Sequence, residues 1–207
     1  MRVAFNITHE KLSYQNFDWK LSGSTWVMAV VKSGKIYIGN AGDSRAVIAR
    51  RNTEFIRTPH QLSRDHKPEL EEEFERITSM NGRVFPFFNN QGNPVGPHRV
   101  WHPQLNFPGL AMSRSLGDYV AHQYGVSSEP ELTEYNIQPQ DEFLIVASDG
   151  VWEFLTNQEV IDIASIGIEN DDYRKAASDI VKYSRNQWLK NDNCIDDITC
   201  VIIKLKH

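Results

Sequence analysis

The chain has only two cysteines, Cys194 and Cys200, in 207 residues. Two are too few for a disulfide scaffold or a four-ligand zinc site. No apolar run approaches the roughly 20 residues that a membrane span needs. The first ten residues lack the apolar stretch and small-residue cleavage site of a secretory leader. No membrane partner is expected, and the expected location is intracellular, cytoplasmic or nuclear. Positive charge is also scarce. The formal net charge is −5 and no basic stripe with interleaved aromatics occurs, which excludes nucleic acid as an expected partner. There is no Gly-x-Ser-x-Gly elbow, no suggestive Cys–His pairing and no Gly-rich phosphate loop. Side-chain nucleophilic catalysis and nucleotide cradling are both disfavoured on that ground.

What is present reads as a globular domain: 40% hydrophobic and 24% charged residues. Residues 1–20 read as the tail of a helix and a linker. Ser24–Val31, Lys35–Asn40 and Arg45–Ala49 alternate as strands, separated by Gly turns, and are expected to form an antiparallel meander. A helix is expected to open at Pro68, with Leu70, Phe74 and Ile77 on one apolar stripe and its glutamates on a solvated face. Asn81-Gly82 stops it. Residues 83–109, rich in Pro and aromatics, read as a long functional loop. Phe143–Ala147 is apolar throughout, as a strand buried on both faces would be. Thr156-Asn157-Gln158-Glu159 is a capping box. A helix over 172–190 and a last strand over 198–205 complete an α+β pattern with mostly antiparallel sheets.

Chemistry concentrates at strand ends. Asp149 follows the Phe143–Ala147 strand and precedes Gly150; Asp196-Asp197 precedes the last strand. If those strands pair antiparallel, Asp149 and Asp196 reach one sheet edge. Asp43, in the Gly42-Asp43-Ser44 turn, can supply a third carboxylate. Carboxylates completed by water suit Mg²⁺ or Mn²⁺. His60 and His66 are expected at the surface or behind the ligands rather than on a metal. Arg45 and Arg114 are expected to pair with buried carboxylates such as Asp43 or Asp118. Trp26 and Trp152 read as core, and Trp101 as a candidate functional tryptophan.

Nine segments in order resemble the type 2C class of metal-dependent protein phosphatases. They are Ser22–Thr25, Gly39–Ala46, Leu62–Pro68, Arg76-Ile77 with Asn81–Val84, Leu110–Asp118, Ser128–Glu131, Asp141–Trp152, Asn157–Val160 and Asp196–Thr199. The resemblance covers nearly the whole chain, so residues 1–207 read as one partial catalytic domain. It implies an antiparallel β-sandwich flanked by helices, incomplete at its N-terminus. It also implies hydrolysis of phosphoserine and phosphothreonine in proteins by metal-activated water, with two Mg²⁺ or Mn²⁺ ions and a third in some members. Asp149 and Asp196 would be core metal ligands and Asp43 a ligand of the weaker third ion. Asp197 stands where the family usually has Asn. Residues of about 83–125 correspond to the flap beside the substrate, with Trp101 and Arg114 as candidate contacts.

One departure is large. The family's Asp-Gly-His-Gly motif, whose Asp bridges both metals, does not occur; the only Asp-Gly is Asp149-Gly150. The phosphate-holding Arg that precedes that motif is missing with it. The chain alone is therefore expected to be a weak or inactive phosphatase, with sheet edges open to self-association. The alternative is a catalytically dead phosphatase-like module that binds partners. Retention of three metal-type carboxylates argues against that alternative, and the missing motif argues for it.

Overall fold

The computed structural model describes residues 1–192 and 194–205. In chain order the elements are α1 (Arg2–Leu12), β1 (Gly23–Ser24), β2 (Trp26–Lys32), β3 (Lys35–Ala41), β4 (Arg45–Arg51), β5 (Arg57–Gln61), α2 (Glu71–Ser79), β6 (Arg83–Phe88), β7 (Pro94–Trp101), β8 (Pro108–Leu110), β9 (Leu116–Gly117), α3 (Tyr119–His122), β10 (Glu131–Asn136), β11 (Asp141–Ala147), α4 (Asp149–Trp152), α5 (Asn157–Ile168), α6 (Tyr173–Asn191) and β12 (Cys200–Lys204). They divide into two compact units. One comprises Met1–Trp26, Gly39–Asp43 and Asp65–Leu132; the other comprises Val27–Ile38, Ser44–Arg64 and Thr133–His207.

The second unit is a sandwich with a helical layer. One sheet has the order β12-β11-β4-β5, and the other β10-β3-β2. Successive side chains of a strand point to opposite faces. Val47 and Ala49 of β4, with Phe143, Ile145 and Ala147 of β11, therefore share one core with Val160, Ile161, Ala164, Ala176 and Ile180 of the helices. Ala46, Ile48 and Leu144 turn the other way and meet Ile36 and Ile38 of β3. Both faces of β11 are covered, as its unbroken apolar run predicted. The capping box at Thr156 is formed: Thr156 Oγ1 accepts from the Glu159 N–H, and the Glu159 carboxylate accepts from the Thr156 N–H at 2.8 Å.

Two strand expectations need correction. β2, β3 and β4 do not form one meander, because β4 lies in the other sheet from β2 and β3. A flat meander would leave one face of β4 uncovered, whereas Ala46 to Ala49 are all fully buried. The chain changes sheets at Gly42, whose φ of +115° is unfavourable for residues with a Cβ. The last strand is also shorter than expected. It starts at Cys200, because Ile198 and Thr199 belong to the connection that holds Asp196.

In the first unit, Phe5 of α1 is fully buried and stacks on Trp26 at 4.3 Å. Residues 83–109 are not a loop. They form an antiparallel sheet of order β6-β7-β8. The prolines of this region sit where a ladder tolerates them: Pro94 and Pro108 open their strands, and Pro86 of edge strand β6 and Pro97 of β7 fall within the register shift of that pair. Val100 with Val84 and Leu110 packs on Ile77 of α2, Ala121 and Val126. α2 starts at Glu71 rather than Pro68, with Leu70 as its extended N-cap. Its glutamate face is not uniformly solvated, since Glu73 is fully buried.

Candidate metal centre

The β11–β12 pairing brings the segments that carry Asp149 and Asp196 to one end of the two strands. The antiparallel register runs from Phe143↔Lys204 to Ala147↔Cys200. It continues past the strands: the Ser148 N–H donates to Thr199 O at 3.0 Å, the Thr199 N–H to Ser148 Oγ at 3.1 Å, and the Ser148 hydroxyl to Asp197 O at 3.0 Å. Asp149 is the first residue of α4, and Ser148 is its N-cap. Gly150 lies so close to the Asp197 carbonyl oxygen that an added Cβ would collide with it. The Gly150 carbonyl accepts from Trp188 Nε1–H at 2.8 Å, and the Ala147 carbonyl from Trp152 Nε1–H at 2.9 Å. Two tryptophans therefore pin the backbone on either side of Asp149. Asp149 is partly buried and Asp196 exposed, and Asp196 Oδ1 accepts from the Asp197 N–H at 2.7 Å.

Asp43 belongs to the first unit. It is 1% exposed, and Oδ2 takes a bond from Lys67 Nζ at 2.6 Å. Oδ1 is buried with no hydrogen-bond partner, a position a cation or water would satisfy. His66 is fully buried rather than at the surface, with Nδ1 3.2 Å from the Gly42 nitrogen. Burial, then the nearby Arg114 charge, lowers its pKa. As a donor set, oxygen atoms with no cysteine or histidine suit a hard cation. Among the described residues, however, no group of three or more His, Cys, Asp or Glu could hold a metal ion.

The two flap candidates are engaged inside the first unit. Trp101 is 2% exposed; its Nε1–H donates to Phe85 O at 2.8 Å, and its ring stacks on Phe85 at 5.2 Å. It anchors the β6–β7 hairpin. Arg114 pairs with a buried carboxylate, as expected, but the partner is Glu73, with Nη2–Oε1 at 2.6 Å. Arg76 holds the same carboxylate at 2.7 Å, and the Ser113 hydroxyl donates to it. Burial alone would raise the Glu73 pKa; the donors from Arg76, Arg114 and Ser113 outweigh it and hold the group far below the usual carboxylate range. Glu73 escaped the sequence reading, although it lies four residues before buried Ile77 and so on the same helix face. Arg45 donates to Asn157 Oδ1 at 2.6 Å and lies over the Trp152 ring.

The family profile described as Protein phosphatase 2C matches residues 1–192. The chain belongs to this family. It is 45% identical to probable protein phosphatase 2C 34 of Arabidopsis thaliana over 92% of its own length and 52% of that relative. It is 38% identical to probable protein phosphatase 2C 73 of the same plant over 99% of its length and 54% of that relative. The chain thus spans about half the length of these relatives. The fold is that of a serine-threonine phosphatase 2C from Toxoplasma gondii, with a TM-score of 0.82 at 23% identity, covering 98% of this chain and 64% of that one. The antiparallel sandwich with helices that the segments implied is the fold of this phosphatase 2C chain.

Proposed function

We propose that this chain carries part of the catalytic centre of a metal-dependent protein serine/threonine phosphatase, acting on phosphoserine and phosphothreonine in intracellular phosphoproteins. What supports the reading is the β11–β12 pairing, which brings the segments bearing Asp149 and Asp196 to one end of the two strands, in a chain of the phosphatase 2C family. Asp149 and Asp196 would hold Mg²⁺ or Mn²⁺, with Asp43 available to a further ion. Such ions polarise a phosphoryl oxygen and bring the pKa of coordinated water toward neutrality. The chain's own contribution is position. The Ser148–Thr199 bonds and the Trp152 and Trp188 donors fix the backbone that presents both carboxylates. No side-chain nucleophile is needed.

The reading is tested by phosphate release from a phosphothreonine peptide in Mn²⁺, with and without Asp149→Ala. Turnover should fall by at least about 100-fold in the variant, the upper end of what losing outer-shell support alone costs. Turnover unaffected by Asp149→Ala would end the proposal. A second reading rests on the lack of a group of three or more metal-type side chains among the described residues: the chain is a catalytically dead phosphatase-like module that binds partners. Calorimetry decides between them. Mn²⁺ binding in the micromolar range supports the enzyme, and none below millimolar supports the module.

A further inference from the structure

Between Glu75 and Asp118 the chain has no acidic residue, although it holds 27 elsewhere. Four arginines lie in that interval. Arg76 and Arg114 are neutralised by Glu73. Arg83 and Arg99 are not. Arg83 donates to His102 O at 2.9 Å and Leu105 O at 3.0 Å, and Arg99 donates to Gly109 O at 2.7 Å. Arg99 Nε is buried with no hydrogen-bond partner. Carbonyl oxygens orient a guanidinium but leave its charge in place.

Both guanidiniums belong to one face of the β6–β7 hairpin. The register pairs Arg83 with Trp101 and Phe85 with Arg99, and, beyond a register shift, Phe87 with Val95; Phe87 stays on the same side, since its ring meets Trp101 at 5.1 Å. Arg83 lies over the Phe85 ring at 5.0 Å and Arg99 over Phe87 at 4.8 Å. The opposite face carries Val84 and Val100 into the core. On the outer face Phe87 and Val95 are each 50% exposed. An apolar surface that holds two unneutralised cations, on a chain of net charge −5, is unlike an ordinary solvated face.

We propose that this face docks an extended acidic polypeptide segment with interspersed apolar residues. Its carboxylates would meet Arg83 and Arg99, and its apolar side chains Phe87 and Val95. Charge complementarity selects the partner. Two cations without a basic stripe are too few for the many phosphate contacts of a polyanion such as single-stranded RNA, which stacking on Phe87 would otherwise admit. The inference concerns binding and does not depend on catalysis.

The test is fluorescence polarisation of the full 207-residue chain in EDTA. The probe is a fluorescein-labelled peptide alternating Asp and Glu with Leu and Phe. A peptide in which Lys replaces the acids and a poly-uridine oligonucleotide serve as comparisons. The acidic peptide should bind best and weaken with added salt. Arg83→Gln and Phe87→Ser should each weaken it about tenfold, with circular dichroism unchanged. Equal binding of the Lys peptide, tighter binding of the oligonucleotide, or full affinity in both variants would overturn the proposal. If a variant unfolds, a photoreactive acidic peptide on the unaltered chain decides: cross-links within 83–101 support the assignment, and cross-links elsewhere refute it.

Discussion

Glu73 shows how one buried carboxylate can organise its surroundings. With a fully buried side chain and two arginines on it, its removal leaves cations unpaired inside the first unit. Glu73→Ala should therefore destabilise by about 3–5 kcal/mol at pH 7, the cost of breaking a buried pair from one side; urea unfolding measures it. His122 gives a pH test. It stacks on His9 at 4.4 Å, its ring nitrogen Nε2 lies 3.1 Å from Ser115 O, and burial, then the His9 charge, lowers its pKa from 6.5 to about 4. The unfolded chain then binds more protons than the folded one between those values, so stability falls as pH drops from about 6.5 to 4, by roughly 3 kcal/mol from this group. In His122→Gln the same series of unfolding curves should be flatter over that window. An unchanged slope would mean that His122 titrates normally.

At the scale of elements, the β11–β12 pair and its extension through Ser148 and Thr199 decide where the candidate ligands stand. Gly150 is the tight point, because the Asp197 carbonyl occupies the space a side chain would take. Gly150→Ala should push the 196–199 connection away from α4 and cost about 1–3 kcal/mol by overpacking. If Asp149 and Asp196 act together on a cation, the same substitution should weaken Mn²⁺ binding in calorimetry while leaving far-UV circular dichroism intact. Destabilisation without any change in metal affinity would separate the fold of this edge from the proposed site.

At the scale of the molecule, two of the four edge strands in the second unit's sheets are β2 and β12. Both expose β-branched residues: Val30 is 40% exposed, Val31 45% and Val201 50%. Such edges template pairing with another chain. We expect concentration-dependent self-association in sedimentation velocity, reduced by Val31→Lys, which places a charge on the β2 edge. A monomer at all concentrations for the unaltered chain would show that these edges are adequately protected.

Local patterns in the sequence determined much of this protein. The unbroken apolar run of Phe143–Ala147 announced a strand covered on both faces. Thr156 and Glu159 announced a helix start, and the carboxylates beside two strands announced a shared edge if those strands paired. These features depend on neighbours a few residues apart, so the sequence carries them directly. Tertiary structure alone decided that β4 leaves its neighbours for the other sheet and that the proline-rich 83–109 region closes into strands. It also decided that Glu73 turns inward to two arginines while the adjacent glutamates stay out. Each outcome depends on what packs from far along the chain: a second core against β4, an edge position that spares Pro86 a ladder bond, and Arg114 arriving over Glu73. Burial of that kind is set by distant partners, and no local period encodes which partners arrive.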